Sequence, residues 1–543
     1  MALAKAFKKL AVVAVVVRWI GAPISLFLLL FKKRPLYGAG LLAVVTLTTT
    51  TLDSCGLEQR VDNAAARGTA ALLSPLYGGS ERIGQDSITV VTVDRAAVER
   101  YGGVFWPLPY AGQLALVEAL MRSDPAVIFL DFTYFIDHGV AAPARIPEGW
   151  PGSQAPDLSQ LRGPEPSFTS VLEAESQAKR FADALKQLSE FHNVPILIGP
   201  VDEGPVALRP LAEAFPPVHS SEAVQSGQVG VTIGLGGALT YRARDEDGRI
   251  QAAHAMRQAV CARRAERPHL YSPCPPYAPM AQHQSKDDLA VSWGLGSPRE
   301  TLIFDPQRER CVADGARARI GHTLQQGWGY LTGQVDRQGL NYTHYCTYHA
   351  LVEARTVLEF SLNPIDPDSF EGEIVDIAHL FTDRAILIGS DLSIGTDVFE
   401  VPVYGLAPGV SVHAMALDNL VERGDRYATP PPDVLGSMDW ADIAEFVLMI
   451  GAVFAIYLIA SSVRNSSEDA TNRFVWGLYL TIISIAVAIS ILVVVVMRWP
   501  AVNWLFMVGT LAGAAAWIEL IRARAAPTLH ADPNAKPETK VTS

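Results

Sequence analysis

Uninterrupted apolar runs dominate both ends of the chain, and three of them lie close together before the C-terminal tail. Residues 446–463, 474–497 and 499–518 contain no charged side chain. Each run is close to the roughly 20 residues that a helix needs to cross a hydrocarbon core. Because residues 482–497 are almost entirely Ile, Val, Leu and Ala, burial in a soluble domain is the poorer alternative. The pattern predicts three transmembrane helices within residues 441–521.

A fourth apolar run, near the N-terminus, predicts a membrane anchor. Residues 35–52 are charge-free and follow the basic triplet at 32–34, which favours the cytoplasmic side. The preceding residues 10–31 are also apolar but include Arg18 and Pro23. We favour an interfacial helix for residues 10–31, because the basic residues on both flanks prefer the same side of the membrane. A second spanning helix is the alternative.

Basic residues in the short C-terminal loops predict the orientation of the bundle. Arg464 and Arg473 share one loop and Arg522 and Arg524 follow the last run, whereas the remaining loop carries only Arg498. Under the positive-inside rule both arginine pairs are cytoplasmic. Three crossings then place the centre of the chain outside. We therefore expect a multi-pass inner-membrane protein with a large periplasmic domain.

This topology divides the chain into four parts. We predict an N-terminal cytoplasmic or interfacial segment with its anchor at 1–54 and an extracytoplasmic domain at 55–440. Three transmembrane helices follow at 441–521, and a disordered cytoplasmic tail occupies 522–543. The tail is rich in Pro and Ala and is too short for a catalytic domain.

Net charge changes sign between these parts. The chain has 44 Lys and Arg against 56 Asp and Glu, a formal net charge of −12. Residues 1–54 carry +6, residues 55–440 carry −18, and residues 441–543 balance. An acidic centre lacks the concentrated basic face that nucleic-acid binding requires. The charge therefore excludes nucleic acid and leaves the lipid bilayer and other proteins as expected partners.

The hydrophobic pattern of the outer domain alternates between strand and helix signals. Residues 88–93 and 126–130 are typical of buried strands, and residues 113–121 between them have helical spacing. This order predicts a βαβ unit with parallel strands. Further strands are predicted at 194–198, 229–235, 238–244 and 385–389, and further helices at 64–73, 173–191 and 414–423. The predicted fold class is an α/β domain with a mainly parallel sheet, plus an α-helical membrane bundle of one or two N-terminal and three C-terminal helices.

Polar residues at strand ends are the candidate ligand-binding residues. Asp94 and Asp131 follow the first two strands, at the carboxyl edge where open α/β sheets bind ligands. Asp397 and His413 follow the strand at 385–389 and complete the candidate set. Alternatively, each aspartate caps a following turn and His413 is an ordinary buried residue.

Four of the five cysteines fall within 86 residues of the outer domain: Cys261, Cys274, Cys311 and Cys346. They fall in or beside residues 255–345, which we interpret as an irregular insertion. In an oxidising compartment they favour two disulfides, with three connectivities open. We prefer Cys261–Cys274 with Cys311–Cys346, because the Pro-rich stretch around Cys274 has little hydrophobic periodicity and needs a covalent link.

Zinc binding is the alternative for this region. His344, Cys346 and His349 are closely spaced, and His254 and Cys261 offer further ligands. The spacing is not a defined zinc signature, so we expect no metal and no other cofactor.

Five ordered segments together carry a family resemblance. They are the strands ending in Asp94 and Asp131, the Asp-Gly turn at 245–249, the Ile-Leu-Ile-Gly strand at 385–389 and the Pro-Gly-Val-Ser-Val-His-Ala segment at 408–414. With one anchor before them and three apolar runs after them, these segments resemble the CHASE2 family of bacterial extracytoplasmic sensory domains over about residues 45–520.

The resemblance implies a domain that senses a signal outside the cytoplasm, usually for a cytoplasmic cyclase, diguanylate cyclase or kinase in the same chain. The tail at 522–543 and the Cys-bearing insertion depart from that pattern. We therefore expect a stand-alone sensor or adaptor that signals through its membrane bundle to a separate membrane, cytoplasmic or envelope protein. Homo-oligomer formation stays open.

Two other functions remain as alternatives. A structural or accessory subunit of an envelope complex would use the acidic surface and the insertion for docking. An extracytoplasmic hydrolase would use Asp94, Asp131 and His413. Because the chain contains no G-x-S-x-G elbow, P-loop or H-E-x-x-H motif, we expect no catalytic activity.

Overall fold

The structure is a computed structural model that describes much of the outer domain. The described residues are 74, 77, 82–94, 97–98, 108–132, 171–199, 209–214, 224–225, 240–241, 251–277, 289–294, 348–362, 377–390, 398–401, 405–429, 433–435, 438–440 and 443. Within these residues, no helix is both long and apolar enough to span a bilayer. All of the predicted membrane segments, the predicted helix at 64–73 and the predicted strand at 229–235 lie outside them.

Helices and strands alternate along most of the described chain. The helices are α1 Ile83–Asp86, α2 Tyr110–Met121, α3 Val171–His192, α4 Arg209–Ala214, α5 Ala252–Glu266, α6 Ala354–Leu362 and α7 Gly409–Arg423, with 3-10 turns at Ile377–Leu380 and Gly424–Arg426. The strands are β1 Ile88–Val93, β2 Val127–Asp131, β3 Ile196–Ile198, β4 Val224–Gln225, β5 Thr240–Tyr241, β6 Leu289–Ala290, β7 Ala350–Glu353, β8 Ala385–Ser390, β9 Val398–Val401, β10 Gly405–Pro408, β11 Asp433–Leu435 and β12 Met438–Asp439.

Five parallel strands form the main sheet, in the order β3-β2-β8-β1-β7. The central strand β8 pairs with both early strands, so that Ala385 lies opposite Ile88 on one side and Val127 on the other. Every residue of β1 is buried, as a parallel sheet covered on both faces requires. The carboxyl ends of β1, β2 and β8 consequently share one edge.

The two faces of the sheet pack in separate cores. Alternate strand residues such as Val91 and Ile388 contact helices α2, α3 and α6. The other face, including Val90 and Leu387, packs with α5 and α7. The main sheet is therefore the middle layer of an α/β/α sandwich.

The described residues also form three small antiparallel elements. Strands β4, β5 and β6 form one sheet, and β9 pairs with β10 directly before α7. Strands β11 and β12 pair as a hairpin in a second compact unit, which includes residues 433–492.

The predicted α/β class with a mainly parallel sheet is confirmed. The interpretation of residues 255–345 as an irregular insertion is wrong for residues 255–266, which belong to a helix. Helix α5 occupies residues 252–266, with Ala252, Met256 and Val260 buried. The buried face of α5 also includes His254 and Arg257, which obscured its helical periodicity. Strand β7 and helix α6 were not predicted, and α7 begins at Gly409, five residues before the predicted start.

Candidate ligand-binding site

Two of the predicted site residues meet where β2 ends. Asp131 is the last residue of β2 and pairs in register with Gly389 of β8. Gly389 lies against the first turn of α7, and a Cβ atom there would come within 2.5 Å of the Val410 side chain. This close approach allows His413, one turn further along α7, to place its Nε2 3.7 Å from Oδ1 of Asp131.

Tyr241 connects His413 to the start of helix α5. The Tyr241 hydroxyl lies 2.8 Å from Nδ1 of His413 and accepts a hydrogen bond of 3.1 Å from the backbone N–H of Ala253. The Asp131 carboxylate is an acceptor and favours a ring proton on Nε2, so we assign the hydroxyl proton of Tyr241 to the bond with Nδ1. The ring proton of His413 is then on Nε2, the nitrogen that faces Asp131.

Burial keeps both rings neutral. Desolvation lowers the pKa of His413 to about 3. Desolvation also raises the pKa of the Tyr241 hydroxyl; the N–H of Ala253 opposes that rise and the charge of Asp131 adds to it. The Phe129 ring packs edge-on against the imidazole, with 5.5 Å between ring centroids. The arrangement is a hydrogen-bonded relay that orients polar groups without carrying charge on the histidine.

The other two predicted site residues are placed differently. Oδ1 of Asp94 accepts a 2.8 Å hydrogen bond from the N–H of Ala97, so this carboxylate caps the turn after β1, as the alternative interpretation expected. Strand β8 separates Asp94 from Asp131, which are therefore two strand spacings, about 10 Å, apart. Asp397 lies outside the described residues. The structure thus brings together Asp131 and His413.

A buried glutamine lies directly before α5 and was missed from the sequence. Gln251 is 0% exposed, and neither atom of its amide group has a hydrogen-bond partner in the described part of the chain. Leaving a buried polar group unpaired costs about 1–3 kcal/mol. Gln251 is two residues from Ala253, which binds Tyr241, so this cost arises next to the relay.

A second buried cluster of hydrogen-bonded side chains holds the middle of α7 in place. The Asp418 carboxylate, 1% exposed, accepts hydrogen bonds from the Tyr77 hydroxyl and, at 3.0 Å, from Nε2 of His349. Burial and the Asp418 charge raise the pKa of Tyr77. Gly84 packs so tightly here that a Cβ atom would lie 2.5 Å from the carboxyl carbon of Asp418. Sequence reasoning had no signal for this cluster, because its members come from three distant segments.

Two of the predicted cysteines are also placed by the structure. The sulfur atoms of Cys261 and Cys274 lie 2.06 Å apart, the bonding distance of a disulfide. Cys311 and Cys346 lie outside the described residues. The His254 ring contacts the Tyr277 hydroxyl, and His349 contacts Asp418. No group of three or more metal-ligating side chains occurs among the described residues.

Comparison with known families identifies one match. The family model described as the CHASE2 domain matches residues 39–458, which is more than half of the chain and includes every strand of the main sheet. Comparisons with curated proteins and with solved structures give no match.

The low pKa of His413 predicts a specific loss of stability in acid. Between about pH 6.5, the usual pKa of histidine, and pH 3, the unfolded chain binds a proton at His413 and the folded chain does not. The contribution of His413 to the free energy of unfolding is therefore fully present above pH 6.5. It falls towards pH 3, by up to about 1.4 kcal/mol per pH unit. We expect His413→Asn to flatten the pH dependence of the thermal midpoint, measured by circular dichroism on the full chain in detergent.

The control is His269→Asn, which changes an exposed histidine. We expect this variant to follow the wild type across the same pH range. An unchanged pH dependence in His413→Asn would contradict the assignment of a neutral, buried imidazole.

Proposed function

We propose a sensory function from the premise that the chain belongs to the CHASE2 domain family, a family of extracytoplasmic sensory domains. The domain binds an extracytoplasmic ligand or partner at the edge formed by Asp131 and His413. Binding there changes the position of α7, and the membrane bundle transmits the change to a separate protein. The observation that carries this proposal is the meeting of Asp131 and His413 at the carboxyl edge of a parallel sheet, where α/β folds bind ligands.

Helix α7 supports a signalling role because it links the candidate site to the end of the domain. His413 lies in its second turn, whereas Asp418 and Glu422 hold its later turns to Tyr77 and to the backbone N–H of Gly84. A packed helix moves largely as a unit, so a shift at His413 would also strain these later contacts. The 3-10 turn Gly424–Arg426 follows α7 directly, and the predicted bundle comes later in the sequence.

A ligand shifts the equilibrium between two positions of α7 only if it binds one of the two states more tightly than the other. The Gln251 amide next to the site would provide this difference. It is buried, and neither of its amide atoms has a hydrogen-bond partner among the described residues. A state in which an occupant bonds to this amide would gain hydrogen bonds that the described state lacks.

We propose binding without catalysis at this site. A general base works best when its pKa is near the operating pH, and His413, at about 3, is far below it. The Tyr241 hydroxyl is equally unsuited to act as a nucleophile, because burial raises its pKa. Both groups favour a binding role.

The proposal includes the membrane topology inferred from the sequence: a basic N-terminus and a C-terminal tail inside, and residues 55–440 in the periplasm. We expect an alkaline phosphatase fusion at residue 200 to be active and fusions at residues 30 and 530 to be inactive. Green fluorescent protein fusions at the same positions should give the reverse pattern. A cytoplasmic signal from position 200 would overturn the topology.

Sensing is tested by hydrogen–deuterium exchange on the full chain in lipid nanodiscs, with and without the low-molecular-weight fraction of spent growth medium. We expect slower exchange in α7 of the wild type. In Asp131→Asn, the concentration of the fraction that slows exchange in α7 by half of the maximal effect should rise at least about tenfold. A tenfold rise corresponds to about 1.4 kcal/mol of binding free energy.

The matched control is Glu353→Gln, at the end of β7 on the same sheet edge. Its side chain is 40% exposed and lies 3.6 Å from Arg355. We expect this variant to respond as the wild type does. An equal response in Asp131→Asn would remove Asp131 from the site, and a stoichiometric envelope partner without any small-molecule response would favour the accessory-subunit alternative.

A further inference from the structure

The loop after α5 contains the second cysteine of the described disulfide. Residues 267–277, the Cys274 loop, turn back along α5 so that Cys274 meets Cys261, with 5.6 Å between their Cα atoms. Both cysteines are partly exposed. A reductant in solution therefore has access to this disulfide.

Two arginines of α5 hold the Cys274 loop independently of the disulfide. Arg264 Nε donates a 2.9 Å hydrogen bond to the carbonyl oxygen of Ser272, and Arg257 Nη2 donates one of 2.6 Å to that of Pro275. These carbonyl groups lie on either side of Cys274. The loop backbone is thus fixed at both flanks of the cysteine by contacts that do not involve sulfur.

Aromatic side chains add to this attachment. Arg264 lies over the Tyr271 ring at 5.0 Å and Arg257 over the Tyr277 ring at 4.3 Å. The Tyr271 hydroxyl also donates a 2.9 Å hydrogen bond to Asp383, in the turn before β8. We therefore expect the loop to stay docked when the disulfide opens, which leaves the two thiols close enough to re-form it.

The same arginines flank Cys261 on helix α5. Residues 257 and 264 are one turn before and one turn after Cys261, on the same face of the helix. Positive charge next to a cysteine lowers the pKa of its thiol and improves the thiolate as a leaving group. We therefore expect the charges that flank Cys261 to favour its release as a thiolate when the other sulfur, that of Cys274, is attacked.

The Cys274 loop also contacts the end of α7. The backbone N–H of Asp425 donates a 3.1 Å hydrogen bond to the carbonyl oxygen of Pro276. Gly424 adopts φ +55° at this point, and a Cβ atom there would lie 2.3 Å from the same oxygen. The position of the loop thus determines the backbone path by which the chain leaves α7.

We propose that Cys261 and Cys274 form a reversible thiol–disulfide exchange site for a dithiol reductant. A thiolate of the reductant attacks the sulfur of Cys274, forming a mixed disulfide and releasing Cys261 as a thiolate. The second thiol of the reductant then attacks the reductant sulfur in the mixed disulfide, which forms the disulfide of the oxidised reductant and releases Cys274 as a thiolate. Two electrons pass to the protein, and the two protons that the reductant loses balance the two that the protein thiolates take up. This site does not depend on ligand binding at Asp131 and His413.

The test uses the full chain in detergent, equilibrated in mixtures of reduced and oxidised dithiothreitol and then alkylated for mass spectrometry. We expect Cys261 and Cys274 to open and close together as a reversible two-electron couple. Hydrogen–deuterium exchange should stay slow in residues 267–277 and 424–429 of the reduced chain, because the contacts that hold the Cys274 loop do not involve sulfur. Thiols that fail to re-pair, or a loop that loses protection on reduction, would overturn the proposal.

Two sets of variants distinguish an exchange site from a structural link. The double variant Cys261→Ser/Cys274→Ser should keep slow exchange in residues 267–277 and 424–429, whether or not dithiothreitol is present. Loss of loop protection in this variant would mean that the disulfide is only a structural link, contrary to the proposal.

Arg264→Gln should slow the reaction with dithiothreitol several-fold, since it removes a charge beside the leaving thiolate. The matched control is Arg355→Gln, which removes an arginine on α6, on the opposite face of the sheet, and should react at the wild-type rate. Equal rates for Arg264→Gln and Arg355→Gln would contradict the role of the guanidinium.

Discussion

The insertion of β8 between β1 and β2 is the constraint on which the rest of the domain depends. Residues 385–390 hydrogen-bond to strands that precede them by most of the length of the domain. The sheet is therefore complete only after this long loop has closed. The entropic cost of closing a loop grows slowly with its length, so the fold tolerates large intervening segments. The same closure brings Gly389 beside Asp131 and sets α7 over the sheet edge, which creates the candidate site.

Charged contacts at the opposite edge of the sheet hold helix α5 in place. Arg263 and Arg267 pair with Asp124 and Asp383, which lie in the turns before β2 and β8. Both aspartates have a positive φ, 51° and 59°, a conformation that aspartate tolerates better than most residues. Because β2 and β8 are neighbours, this one network ties α5 to both strands. At its other end, α5 presents Ala253 to Tyr241, so both ends of the helix contribute to the placement of the site.

Sequence patterns predicted the features that depend on local composition. The apolar runs at β1, β2 and β8 identified the parallel sheet, and the predicted position of Asp131 at a strand end agrees with the structure. The features that were missed depend on distant partners: Tyr241 becomes significant only beside His413, and Asp418 only beside Tyr77. Helix α5 was missed because its buried face carries arginines whose charges are satisfied by remote carbonyl and carboxylate groups.

Native-state hydrogen exchange of the full chain in low denaturant is the most direct test of this account. Amides of β1, β2 and β8 should open in one cooperative unit, with the same free energy and the same dependence on denaturant, because each strand needs its neighbours to complete the sheet. Amides near the start of α7, which rest on Gly389, should open in the same unit. If β8 and α7 open at a lower free energy while β1 and β2 stay protected, the central strand is an accessory and the account is wrong.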